Sequence, residues 1–272
     1  MYCCQNFITS TMQMLLFLAL AAPALALPPS SRIYRGEQAE EGQFPYQISL
    51  QKEIFGIFYS HMCGGSIVDQ KKVLTAGHCL FDPSGLFITV GDYSLRDDGP
   101  NDERLRVDEV IRHPNYTDLG EENDFNYDLG VIKFNHSSIK FTKYVQPSNL
   151  ATPQYDETGR TCTVSGWGMT DEGDMPDILR YVRLKVLDFD TCKKQWEPFG
   201  LDVLPYTVCS KEPGFVYYGP GPGDSGGPFS CPDESGVMTQ IGIVSAGPKD
   251  GFFNLPATYT QVSAFRSWIE EQ

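Results

Sequence analysis

Helical stripes of apolar residues are scarce along this chain, while short apolar runs separated by turn residues are common. Between Arg180 and Leu187, Val182, Leu184 and Val186 alternate with Arg183 and Lys185. That period of two puts the apolar side chains on one face of an extended strand. Strand character also marks Tyr46–Leu50, Cys63–Val68, Lys72–Ala76, Leu86–Val90, Leu105–Ile111, Leu129–Phe134, Cys162–Gly166, Val237–Ser245 and Ala257–Val262. The end of the chain changes period. Val262, Phe265 and Ile269 fall on one side with Glu270 and Glu271 outside, and Ser263 is the expected N-cap of a short helix. The pattern predicts an all-β fold of two antiparallel β-barrels closed by a C-terminal α-helix.

Composition agrees with a globular chain: 41% of residues are hydrophobic and 21% charged. Residues Met12 to Ala26 form an apolar run ending in Ala24-Leu25-Ala26, an A-x-A cleavage pattern. It is too short to span a bilayer comfortably. Residues 1–26 are therefore expected to be a removable signal peptide, and the protein to be secreted. The net charge of −14 argues against nucleic acid or an anionic membrane as partner. Six cysteines remain after the signal: Cys63, Cys79, Cys162, Cys192, Cys209 and Cys231. In a secreted chain they imply disulfides, and six cysteines allow fifteen pairings. No Cys/His spacing suggests zinc, so no metal is expected on that ground. Asn115-Tyr116-Thr117 and Asn135-His136-Ser137 match the glycosylation acceptor pattern.

Three segments carry candidate chemistry: Thr75-Ala76-Gly77-His78-Cys79, Tyr127-Asp128-Leu129-Gly130-Val131-Ile132, and Gly223-Asp224-Ser225-Gly226-Gly227-Pro228. A serine hydroxyl needs an adjacent base to become a nucleophile. Imidazole titrates near neutral pH, and a carboxylate on its far nitrogen holds one tautomer. Ser225, His78 and Asp128 supply these roles. Asp124 is the rival carboxylate; Asp128 is preferred because the apolar run follows it directly. His61, His113 and His136 read as surface or packing residues.

Together the three segments resemble the chymotrypsin family of serine endopeptidases. The resemblance covers Ile33 to Gln272 and implies two six-stranded antiparallel barrels with a seam near residues 147–159. It implies the pairs Cys63–Cys79, Cys162–Cys231 and Cys192–Cys209. It implies an oxyanion hole made by the N–H groups of Gly223 and Ser225. Arg32-Ile33-Tyr34-Arg35-Gly36 is similar to the family's activation site. Residues 27–32 would then be a propeptide, and cleavage after Arg32 by another peptidase would free the Ile33 amine to pair with Asp224. The specificity pocket is carried to Gly219, Ser245, Gly247 and Ala257. Gly219 offers no charge to a basic side chain, and an open slot implies aromatic or large apolar preference, with an elastase-like preference for small residues as the alternative. Three departures stand at the pocket: Gly221 and Asp250 occupy the places of a usual disulfide, Ala246 replaces a usual aromatic, and Tyr218-Gly219-Pro220-Gly221-Pro222 is unusually rich in proline and glycine. Away from the pocket, Gly77 replaces a usual alanine beside His78. The expected protein is a monomeric digestive enzyme acting on proteins and peptides, with protein inhibitors as further partners. A non-catalytic homologue that binds through the same scaffold is the competing class. No cofactor is required by this chemistry. Calcium remains an option at Asp92, Asp97, Asp98, Asp102 and Glu103, which crowd one loop with oxygen ligands.

Overall fold

The computed structural model describes residues 33–118, 125–153, 157–233, 235–248 and 254–272. The signal peptide, the propeptide with Arg32, and Asp124 and Asp250 lie outside the described residues.

Two antiparallel barrels form, as the alternation predicts. In the first sheet, Glu103–Arg106, Leu86–Val90, Gln47–Ile54, Phe58–Asp69, Lys72–Thr75, Gly130–Lys133 and Glu109–Arg112 follow one another as hydrogen-bonded neighbours. The two outer members were expected as one strand, Leu105–Ile111. The chain bends at Val107 and Asp108, whose N–H groups donate to Leu86 O and Lys133 O at 3.0 and 3.3 Å. One bent strand thus serves both ends of the sheet and curls it toward closure. Ile48, Leu50, Ile67, Val73, Ile88, Val90 and Ile132 share one face of this sheet and are fully buried.

In the second sheet, Arg180–Leu187, Thr161–Gly166, Pro228–Pro232, Met238–Ala246, Ala257–Gln261 and Thr207–Ser210 pair in that order. Arg180–Leu187 pairs again with Thr207–Ser210, which closes a ring of six strands. Val182, Leu184 and Val186 are buried inside the ring, while Arg183 and Lys185 are exposed. Phe229 stacks on Tyr259 with ring centres 4.2 Å apart. Truncating either ring would cost about 3–5 kcal/mol through the cavity left behind. The chain crosses between barrels after Ser148, whose N–H donates to Ile67 O, and joins the second sheet at Asn149–Leu150.

The terminal helix spans Val262–Glu271 and buries Val262, Phe265 and Ile269. Its N-cap is Gln261, without a side-chain cap bond. Ser263 therefore sits inside the first turn: the strand stops at Gln261 and the helix begins at Val262, two residues before the start that a Ser263 cap implies. At the far end, the buried Lys72 ammonium donates to Ile269 O and Glu270 O at 3.0 and 3.3 Å. A cation on the last carbonyls satisfies groups that the helix cannot. A second helix, Phe189–Trp196, was not expected; Asp188 caps it by accepting from Thr191 N at 2.9 Å. The three disulfides are Cys63–Cys79, Cys162–Cys231 and Cys192–Cys209, the pairing the resemblance implied.

Candidate active site

His78 lies in a short 3-10 turn, Gly77–Cys79, directly after the strand Lys72–Thr75. The Cys63–Cys79 bond ties that turn to the neighbouring strand. Gly77 is explained by crowding: a Cβ there would come within 2.8 Å of the Tyr116 ring and 3.1 Å of Leu129 O. Alanine at this place would require Tyr116 to move.

Asp128 opens the strand Gly130–Lys133, and its position is set by a backbone kink at Tyr127, where φ is +50°. The carboxylate is almost fully buried. His78 Nδ1 lies 2.8 Å from Oδ2, and the His78 backbone N–H donates to Oδ1 at 2.9 Å. Ser245 Oγ also donates to Oδ2 at 2.6 Å. Thr260 Oγ1 donates to the Asp128 carbonyl at 2.7 Å. The first barrel thus carries the carboxylate, and the second barrel clamps it. A carboxylate so held accepts from His78 Nδ1, which leaves Nε2 as the basic nitrogen of neutral imidazole.

Ser225 stands in a turn strapped to both barrels. Gly64 N–H donates to Ser225 O at 2.8 Å, and Gly226 N–H donates to Val244 O at 2.8 Å. Gly226 has φ +79°, and a Cβ on it would lie 2.1 Å from Thr75 Oγ1. Only glycine allows the nucleophile turn to sit this close to the His78 strand. Cys79 Sγ lies 3.7 Å from Ser225 O. Ser225 Oγ itself makes no hydrogen bond among the described residues; such contacts are commonly long before substrate binds.

Gly223 has φ +98°, and a Cβ there would meet the Met175 methyl at 2.9 Å. Its carbonyl lies 2.9 Å from His61 Nε2, and His61 Nδ1 lies 2.8 Å from Ser49 Oγ. A carbonyl can only accept, so Nε2 carries the proton and Nδ1 accepts from the serine hydroxyl. Burial pushes the His61 pKa down to about 4, which keeps this ring neutral. Packing was expected of His61, but its grip on the oxyanion turn was not. No local pattern marks it, because the contact spans 162 positions.

Asp224 is fully buried, and Gly168 N and Gly221 N donate to its two oxygens at 2.7 and 2.8 Å. Burial drives its pKa up to about 7 against the pull of those two bonds. No cation reaches it among the described residues, and no bond links it to Ile33. Ile33 is nevertheless fully buried, and Tyr34 bridges to Gly219. Arg35 has φ +65° and its guanidinium lies 5.7 Å from the centre of the Tyr218 ring.

At the pocket, Gly221 is a close-approach glycine: a Cβ there would meet Met169 O at 2.5 Å. This backbone has no room for the cysteine usual at that place. Ala257 is fully buried, and Ala246 nearly so. The open slot expected between Gly219 and Gly247 differs in the structure, where the hydroxyl end of Tyr217 lies against both glycines.

In the acidic loop, burial and repulsion from Asp102 raise the Asp92 pKa to about 7. Asp92 Oδ1 is buried without a hydrogen-bond partner. Asp98 and Glu103 are already engaged by Arg104 and Lys140, at 3.1 Å each. Asp92 and Asp102 repel each other, Asp102 also accepts from Gly99 N–H, and Asp98 and Glu103 are paired within the protein; among the described residues this loop does not gather three ligand groups around one point. Asn115 and Asn135 are both exposed.

A family model described as Trypsin matches residues 33–269. The chain is 35% identical over 250 residues to chymotrypsin-like elastase family member 3A of Homo sapiens, with 89% of each covered. It is 34% identical over 249 residues to chymotrypsin-like elastase family member 3B of Macaca mulatta, covering 89% of this chain and 94% of that protein. A further relative is the suppressor of tumorigenicity 14 protein homolog of Bos taurus, 30% identical over 256 residues; the chain spans 28% of its length.

Proposed function

The chain belongs to the trypsin family of serine endopeptidases, and from that premise we propose that it hydrolyses peptide bonds through Ser225, His78 and Asp128. The observation that carries this reading is the corner where one buried carboxylate accepts from both His78 Nδ1 and the His78 backbone, beside the turn that bears Ser225. In the proposed reaction His78 Nε2 takes the proton of Ser225 Oγ as that oxygen attacks the scissile carbonyl. The imidazolium is stabilised by Asp128 and then protonates the leaving amine. An acyl-enzyme on Ser225 remains. Water, deprotonated by His78, releases the acid and restores the hydroxyl. The N–H groups of Gly223 and Ser225 receive the oxyanion in both steps, a contribution of several kcal/mol in comparable sites.

Activation follows from Asp224. A carboxylate this deep without a counter-charge is costly. Cleavage after Arg32 creates an ammonium on Ile33, which is already buried beside the Gly219 wall through its neighbour Tyr34. Pairing of that ammonium with Asp224 would lock the turn that carries Gly223 and Ser225. We therefore read the precursor as a zymogen that needs another peptidase. The apolar run from Met12 to Ala26 and the three disulfides support secretion. Gly219 carries no charge, so cleavage follows apolar residues and not Lys or Arg; a digestive role on dietary protein suits that breadth.

The test is covalent labelling by a fluorophosphonate before and after cleavage following Arg32, with a Ser225→Ala control. Labelling that rises on processing and vanishes in the control is expected. Processed protein that resists the reagent overturns the reading.

A further inference from the structure

Tyr217 sits between an exposed stretch, Phe215 and Val216, and the pocket wall, yet its own side chain is 3% exposed. Its hydroxyl donates to Pro220 O across 2.9 Å. Its ring stands edge-on to Tyr34 with centres 5.3 Å apart. The hydroxyl oxygen lies 2.5 Å from where a Cβ would stand on Gly219, and 3.0 Å from the same point on Gly247. These two glycines come from separate segments of the chain. One belongs to the run before Ser225, the other to the segment just beyond the strand Met238–Ala246. A phenol touching both segments stands across the slot.

Small residues at three positions leave room for it. Glycine at 219 is obligatory, because any side chain would collide with the phenol end. Alanine at 246 and 257 leaves the neighbouring wall short. The phenol is also held in place. Moving it would expose its ring and strip a buried carbonyl of its donor, which costs more than a surface rearrangement.

We propose that Tyr217 is the specificity-determining residue of this peptidase: it fills the far end of the pocket, so that only a short apolar side chain is admitted before the scissile bond. The inference rests on the serine endopeptidase reading above and deepens it. It selects the small-residue preference over the aromatic one on the geometry of this chain. A substrate carrying Phe or Tyr would have to displace the phenol from its bond to Pro220, whereas Ala meets its hydroxyl end as a floor.

The test compares two peptides that differ only in Ala or Phe before the cut, with protein processed after Arg32. Fluorophosphonate labelling of Ser225 runs in parallel, because that reaction needs no filled pocket. The wild type should favour Ala over Phe by about 100-fold or more in kcat/KM, the scale on which tight apolar pockets reject added bulk. Tyr217→Ala should shift that ratio about 100-fold toward Phe. Tyr217→Phe keeps the ring but removes the hydroxyl that reaches both glycines and bonds Pro220, and should shift the ratio toward Phe by less than Tyr217→Ala does. If Tyr217→Ala loses labelling through misfolding, Tyr217→Val carries the same comparison with a smaller cavity. Equal cleavage of both peptides by the wild type, or an unchanged ratio in a labelled Tyr217→Ala protein, overturns the role of Tyr217. Neither labelling nor cleavage in the wild type overturns the endopeptidase reading and this inference with it.

Discussion

The corner around His78 and the pocket wall at Gly219–Pro222 lie close to the same serine but are built on different principles. At the corner, the Asp128 carboxylate, the His78 ring and the backbone of the Ser225 turn are fixed by strands or by bonds that cross between barrels. Asp128 accepts from the His78 backbone, from its ring and from Ser245, and the Ser225 turn is pinned by Gly64 on one side and Val244 on the other. At the wall, a run of glycine and proline carries its contacts mostly through its own backbone: Tyr217 donates to Pro220 O, Tyr34 bridges to Gly219, Met169 N–H donates to Pro222 O, and Gly221 N–H donates to Asp224. The first region can lose no member without losing its chemistry. The second can change what it accepts while the reacting groups stay in place. Chemistry and selectivity are thereby separated: rigid barrels hold the one, and a replaceable side chain sets the other.

The sharpest break in that contrast is Ser225→Ala, which should lower kcat by about 10^6-fold, as in enzymes where the triad acts as a unit. Active-site titration and peptide hydrolysis read it directly. Asp128→Asn comes next. It should leave the fold intact and cost about 10^4-fold in kcat, because the amide holds His78 in the wrong tautomer. A loss spread evenly over Tyr217 and Asp128 variants would erase the distinction between corner and wall.

Asp224→Asn tests the link between activation and the oxyanion turn. Processing should no longer raise activity, leaving it about 10^2- to 10^3-fold below processed wild type, the value of a lost oxyanion donor. The same residue sets a pH dependence before processing. Burial holds its folded pKa at about 7, above the ordinary carboxylate value of 3.8. The folded chain therefore binds the proton more tightly than the unfolded one. That contribution to stability is complete below pH 4 and is lost as pH rises through 7, by on the order of a few kcal/mol. Denaturant unfolding of the unprocessed protein, read as the difference between wild type and Asp224→Asn, should show this decline between pH 4 and 7, because Asp92 and His61, which titrate over the same range, cancel in that difference profile. A profile that rises over this range contradicts the assignment.

The smallest expected effect is on stability at the corner itself. Replacing Cys63 and Cys79 by alanine opens a crosslink with a sequence separation of 16. It should cost about 3 kcal/mol and lower activity only through the His78 turn. Urea midpoints of the pair variant decide this, and an unchanged midpoint would show that the barrel fixes His78 without the bond.

Much of the corner was legible in the chain, because its elements are local. Alternation in Arg180–Leu187 marked a barrel strand, and the three motif segments each hold one reacting group next to the strand or turn that positions it. What escaped was held together across the fold. The strand expected over Leu105–Ile111 splits, since each half serves a different neighbour. Pro228–Pro232 pairs as a strand although it begins and ends in proline. His61 reaches Gly223, and Tyr217 turns into the slot between two glycines. In both cases the partner comes from a distant segment or from a loop without period, and no spacing in the sequence records it. Gly77 is the reverse case, a departure visible in the sequence whose cause, the Tyr116 ring, appears only in the fold.

The most direct test of the central claim is the reaction of processed protein with p-nitrophenyl acetate, followed by mass spectrometry of its peptides. The account predicts a burst of about one equivalent of p-nitrophenol, as expected when an acyl-enzyme accumulates. It predicts the acetyl group on Ser225, with no burst before cleavage after Arg32. No burst after complete processing, or an acetyl group fixed on any other residue, would contradict it.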